Sequence, residues 1–298
     1  MYDIDYRTLL FASSIHILFF RFIKNISFKS FVFNIILHYI YGLSITCGLH
    51  RLWTHASYET YQPIKWIIMV VNSGTIMNSI EDWCSSHKMH HKYEELCPDY
   101  DLYSISRGFF YAHIGWLFFN RTNEFNKIKK DITCDMYRTQ WKKDTRLIEF
   151  NRDHYIPLMV TMSFLFPIGF CKCVLNTSWK SAIAGTLARI LITWHSTWLV
   201  NSLAHYSGTK PFTRNHTSCE NKIVSFFAFG EGFHNYHHMY PKDFRASGDY
   251  EGNLSAQLLR GLYRLGLIWD CKYVKEAYRK TRNRNIDFKS IKYSILDE

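Results

Sequence analysis

The 298-residue chain has no C-x-x-C pair and no zinc-ribbon spacing among its eight cysteines, so reduced thiols are the simplest reading of them. It has no internal repeat, no low-complexity tract and no long linker. The apolar block near the N-terminus follows Asp3 and Asp5 and lacks a basic leader with a small-residue cleavage site. It therefore reads as a retained first helix rather than a secretory signal. A mean hydropathy of −0.18 is too low for a chain that is membrane bundle throughout.

What the chain does have is hydrophobicity gathered in blocks, and an aromatic share of 17% that suits extensive surface at a lipid interface. Four blocks, residues 8–23, 31–49, 156–174 and 181–204, approach the ~20 residues that cross a hydrocarbon core of ~30 Å. Arg21 interrupts the first, Lys172 comes late in the third, and Arg189 is the only formal charge in the fourth. A fifth, from Trp66 to Ile80, carries Asn72 and Asn78 and reads as an amphipathic or cap-buried helix. The expectation is an all-α integral membrane protein, one domain, with four transmembrane helices under a helical cap of residues 50–155 and 205–298. Four spans place both cap pieces and the N-terminus on one face, as a shared metal site requires. That face reads as cytosolic. The charged stretch after Lys280 reads as a tail.

Eight of the 15 histidines fall in three clusters: HRLWTH (His50, His55), HKMHH (His87, His90, His91) and HNYHH (His234, His237, His238). Neutral imidazole is the commonest protein metal ligand, and this number points to more than one ion. Spacing of i, i+3 and i+4 lets one helix face present each triplet together. His50 and His55 are five apart, which turns them by about 140° on an α-helix, so either the helix ends between them or the pair straddles two metals. Zinc needs only three or four ligands, whereas open nitrogen and oxygen sites suit iron. The paired Glu-x-x-His helices of soluble di-iron bundles are not read in this chain. His205, at the end of the last apolar block, is either a packing residue or a ninth ligand, and Asn201 one turn earlier can hold a metal-bound water.

These motifs, in order, resemble the membrane fatty-acyl desaturases, especially the animal-type acyl-CoA delta-9 group. The match runs from about Gly42 to Val274 and includes GLHRLWTH (48–55), Trp83 with HKMHHKY (87–93), RGFFYAHIGW (107–116), TWLVNSLAH (197–205) and GEGFHNYHHMYP (230–241). The resemblance implies a cytosolic cap, two irons held by nine histidines (the eight clustered ones and His205), Asn201 acting through water, and a narrow bent acyl tunnel. By the same resemblance Trp83, Asn78, Thr197 and Trp198 contact substrate in the tunnel, although the tryptophans alone read as interfacial aromatics. His38, Tyr39 and Gly42 fall on the helix that closes the far end, and Arg107 on a position that meets the CoA head. Ser85-Ser86 stands where animal acyl-CoA enzymes carry an Arg-Asp pair, and Pro98-Asp99-Tyr100 replaces an Asp-Pro-His stretch.

The implied function is O₂-dependent insertion of a cis double bond, at delta-9, into a C16–C18 acyl-CoA in the endoplasmic reticulum membrane, with both termini cytosolic. No His-Pro-Gly-Gly haem motif is present, so electrons are expected from a separate cytochrome b5 and its NADH-dependent reductase. The net charge of +11 suits an acidic redox partner or anionic head groups as well as ordinary topology bias, and no nucleic-acid role is read from it. Acyl-lipid desaturation, hydroxylation by the same centre, and a non-catalytic lipid- or metal-binding homologue are the alternatives.

Overall fold

The computed structural model describes residues 3–94, 96–248, 251–275 and 292–296, so most of the stretch after Lys280 lies outside the described residues. Helix α1 (Tyr6–Phe22) starts where the Asp5 carboxylate accepts from the Arg7 and Thr8 amides, and α2 (Phe28–Leu43) where the Ser27 hydroxyl accepts from the Ser30 amide. No break separates α2 from the cap. The same rod continues as a fully buried π-helix, Ser44–Thr54.

The first cap piece holds α3 (Gln62–Ser73), α4 (Ile80–Tyr93), α5 (Phe109–His113), α6 (Asn123–Arg138) and α7 (Thr145–Asp153). The fifth apolar block is thus the short helix α3 and the turn after it. A second rod runs through α8 (Tyr155–Val160), a π turn (Thr161–Leu165) and α9 (Phe166–Cys173). Then comes α10 (Trp179–Tyr206), followed by α11 (Lys222–Phe227), α12 (His234–Met239) and α13 (Leu254–Arg264). A short antiparallel ladder of β1 (Glu59–Thr60) on β2 (Ile268–Trp269) joins the two cap pieces, and β3 (Lys272–Tyr273) pairs with β4 (Ser294–Ile295).

Among the described residues, three rods are long and apolar enough to cross a membrane: Tyr6–Asn25, Phe28–Thr54 and Tyr155–Cys173. The fourth expected span, α10, has 28 residues, a length of about 42 Å at ~1.5 Å per residue. It falls short in hydropathy, for a structural reason. Most of α10 is buried against α1, α2, α5 and α9, so its polar side chains meet protein. Small residues bring it close to α2: a Cβ on Gly185 would stand 2.2 Å from Ser30 Oγ, and the Ser30 hydroxyl donates to the Ser181 carbonyl at 3.0 Å. Arg189, fully buried, donates to the carbonyls of Gly74 (2.8 Å) and Ser163 (2.6 Å) and lies 4.8 Å over the Tyr41 ring. This one side chain ties α10 to the end of α3 and to the π turn of the second rod.

Candidate metal centre and acyl cavity

Five imidazoles, those of His50, His55, His87, His91 and His237, place one nitrogen each within 4.8 Å of one another. Those of His90, His205, His234 and His238 do the same in a second group. Each triplet is split between the groups, where the spacing alone let it present together. Helix α4 sends its i and i+4 histidines (His87, His91) to the first group and its i+3 (His90) to the second. Helix α12 does the reverse, with His234 and His238 in the second group and His237 in the first.

The His50–His55 question is answered by the π-helix. It ends at Thr54, between the two, and the His55 amide donates to the His50 carbonyl, an i→i+5 bond of 3.2 Å. That wider turn stacks residues five apart, so the rings sit 4.9 Å from each other in the same group rather than 140° apart. His205 joins the second group from the last turn of α10.

The donor chemistry of both groups fits cations. Nδ1 of His50 faces Glu231 (2.8 Å), that of His90 faces Asp101 (2.7 Å), and that of His205 faces Glu94 (3.1 Å); His238 Nδ1 also pairs with Glu94. A neutral imidazole that donates from Nδ1 has only a lone pair on Nε2. Yet His50 Nε2 lies 2.9 Å from His237 Nε2, which is also 2.9 Å from His91 Nε2. His234 Nε2 lies 2.9 Å from His205 Nε2 and 3.0 Å from His238 Nε2. Too few protons exist to make hydrogen bonds of these contacts, whereas a cation at each centre would accept all the lone pairs. Among the described residues, His55 Nε2, His234 Nδ1 and His237 Nδ1 are also buried without a hydrogen-bond partner.

Burial pushes His55, His87, His91, His234 and His237 well below the usual imidazole range, and takes His238 to about 3 despite the opposing pull of Glu94. The rings are thus held neutral, the form that binds metal. Burial acts to raise Glu231, but the Arg51 guanidinium and His50 outweigh it and hold the carboxyl at about 2. For Glu94 the same contest is won by His238 and His205, which keep it well below the carboxylate norm. Glu94, Asp101, Glu231 and Arg51 carry no spacing signature and were not legible in the sequence. One Glu-x-x-His does occur, Glu231 to His234, but Glu231 serves as the outer partner of His50 and belongs to neither ligand group.

A cavity of about 560 Å³ opens beside these groups and takes His50, His87 and His234 into its wall. Asn78, Trp83, Thr197, Trp198 and Asn201 line it, as do His38 and Gly42 further along α2. Trp83 stacks on His87 at 5.0 Å. Two expected substrate residues stand apart: Tyr39 is 45% exposed on α2, and Arg107 pairs with Asp99 and the Tyr111 hydroxyl outside the lining. The basic residues that do reach the lining are Arg121, set against Trp116 and Phe125, and Lys129, paired with Asp82. Neither sits in a recognisable motif. Ser85 and Ser86 donate back into their own helix, to the carbonyls of Glu81 and Asp82. A second cavity of about 520 Å³, edged by Lys88, Lys92, Asp131 and Asp135, reaches His55 and His91.

Residues 29–266 match the family model described as fatty acid desaturase. The chain is 36% identical to an acyl-CoA Delta-9 desaturase of Acheta domesticus over 82% of its length and 67% of that protein's. It is 36% identical to an acyl-CoA Delta12-desaturase of the same species, over 80% of this chain and 66% of the relative. With the stearoyl-CoA desaturase of Homo sapiens it shares 32% identity, over 86% and 70% respectively. These relatives are named for different bond positions, Delta-9 and Delta12, at the same 36% identity.

Proposed function

Since the chain belongs to the fatty acid desaturase family, we propose that it is an acyl-CoA desaturase, an oxidoreductase that inserts a cis double bond, at delta-9, into saturated C16–C18 chains. The observation that carries this reading is the convergence of nine imidazoles in two groups, five and four, three of which (His50, His87 and His234) reach the wall of a cavity of about 560 Å³. Two irons bound to these groups would supply O₂ activation and hydrogen removal from adjacent methylenes. The chain's own residues bind and orient. Trp83, Trp198 and Thr197 form the walls that hold one methylene pair beside the ligand groups, which is how positioning selects the reacting bond. Asn201, in the same wall, would hold a water at the metal side. Glu231, Glu94 and Asp101 fix tautomer and ring orientation.

Acyl-CoA is favoured over an acyl-lipid because Arg121 and Lys129 bring cationic groups to the lining, where charge-assisted bonds to phosphates are strong. Electrons would come from cytochrome b5 and its reductase, a partner whose acidic face suits the net charge of +11. The topology proposed with this function is four spans, with α10 crossing inside a sleeve formed by the three apolar rods, the cap cytosolic, and the endoplasmic reticulum as the membrane.

Purified chain supplied with labelled stearoyl-CoA, cytochrome b5, reductase and NADH is expected to yield an unsaturated acyl-CoA, with about two irons per chain. Conversion only after the label enters phospholipid would overturn the acyl-CoA assignment. A hydroxylated product would overturn desaturation.

A further inference from the structure

Seven described residues other than glycine hold a positive φ, and three of them, Ile76, Asn78 and Phe229, line the large cavity. Such conformations persist only where the surroundings hold them, and they gather at ligand clamps. Phe229, at φ 57°, stands directly before the Gly230-Glu231-Gly232 turn that leads into α12. Its ring leaves the cap and lodges against α2. A Cβ built on Gly42 would stand 1.9 Å from Phe229 Cε2, and the His38 and Tyr39 rings lie 5.2 and 5.3 Å away. Gly42 is therefore a socket, and the ring sits where any larger residue would.

The socket lies at the deep end of the cavity. His38 precedes His50 by twelve residues and Thr193 precedes His205 by twelve, the latter roughly 18 Å along α10. At this depth His38 Nδ1 meets Thr193 Oγ1 at 3.0 Å, tying α2 to α10 across the cavity. His38, Thr193, Gly42 and Phe229 all belong to its lining.

We propose that Phe229 sets the length of acyl chain this enzyme accepts. Its ring, delivered by the cap and not by a membrane helix, is the stopper on which the methyl end of the chain rests. The proposal builds on the desaturase reading above. It makes the histidine-bearing segment and the length gauge one unit, because Phe229 is joined to His234 by a short turn.

The full chain in liposomes, with cytochrome b5 and reductase, is offered C16, C18 and C20 acyl-CoA in competition, and product ratios are read. Binding of the three saturated acyl-CoAs is measured separately without turnover. Phe229→Ala, and Phe229→Gly, which also relieves the positive φ, should each shift both ratios toward the longer chain by about tenfold, the scale on which an apolar pocket discriminates chain length. Gly42→Ala alone should push the ring into the cavity and favour the shorter chain. In the Phe229→Ala background the same change should do little, since the clash is gone. Unchanged ratios in Phe229→Gly overturn the proposal, as does an equal Gly42→Ala effect in both backgrounds. Absence of product from wild type, with binding preference still moved by Phe229, would overturn desaturation and uphold the gauge.

Discussion

Glu231 bridges two residues of unlike purpose: one oxygen faces Nδ1 of His50 and the other the buried Arg51 guanidinium. Glu231→Gln keeps the size but loses the charge that sets the His50 tautomer. Partners of this kind are worth about 10–100-fold in metal affinity, so iron retained after dialysis should fall on that scale. Arg51 also donates to the carbonyls of Phe244, Thr46 and Arg245, so the variant leaves a buried cation without its counter-charge. A loss of about 3 kcal/mol of stability should follow, read as a lower Tm in detergent. Normal iron retention with the same Tm would show that Glu231 does neither. At the cavity lining, Arg121→Ala should raise KM for acyl-CoA by about tenfold with little change in kcat, the worth of one charge-assisted bond. Arg107→Ala is the contrast, since Arg107 is paired with Asp99 away from the lining. A larger KM effect at Arg107 than at Arg121 would reverse the assignment.

Single elements explain two readings that spacing alone could not supply. The π-helix brings His50 and His55 into one group, and π geometry leaves no mark in a pattern read at 3.6 residues per turn. Helix α10 departs from a simple hydropathy reading in the opposite way. Its Arg189, Thr186, Thr193 and Ser196 lower its hydropathy, yet all are buried among neighbouring helices. Arg189→Leu keeps the bulk but strips two donors from the Gly74 and Ser163 carbonyls, which should destabilise the fold by about 2–3 kcal/mol. Thermal inactivation should show this as a lowered midpoint, with iron per folded chain unchanged. Arg189→Lys should recover little, because a point charge cannot span two carbonyls as the planar fork does. Full recovery by lysine would mean that charge alone matters.

On the scale of the whole molecule, the proposed four-span topology predicts that the cap and the α9–α10 turn lie on opposite sides of the membrane. Two cysteines report on this: Cys134 is exposed on α6 and Cys173 is exposed at the end of α9. In sealed microsomes with the cap outward, an impermeant maleimide should label Cys134 at once and Cys173 only after permeabilisation. Equal labelling of both in sealed vesicles would rule out the four-span arrangement. The division of ligands five and four predicts a second global signature. His55→Ala and His234→Ala should each lower iron from about two toward one per chain, from different groups, and both should abolish desaturation.

The amino-acid sequence by itself determined which residues are candidate metal ligands, because imidazole clusters repeated at helical spacing have little other use. It also determined the apolar rods, because hydrocarbon demands length and composition that can be counted. The tertiary structure alone decided how each triplet divides between two groups and which carboxylates stand behind the rings. It alone made Arg121 rather than Arg107 the arginine of the cavity lining, and it alone seated a cap phenylalanine against Gly42. These are contacts between residues up to 187 positions apart, as between Gly42 and Phe229, and they leave no local period for a linear pattern to carry.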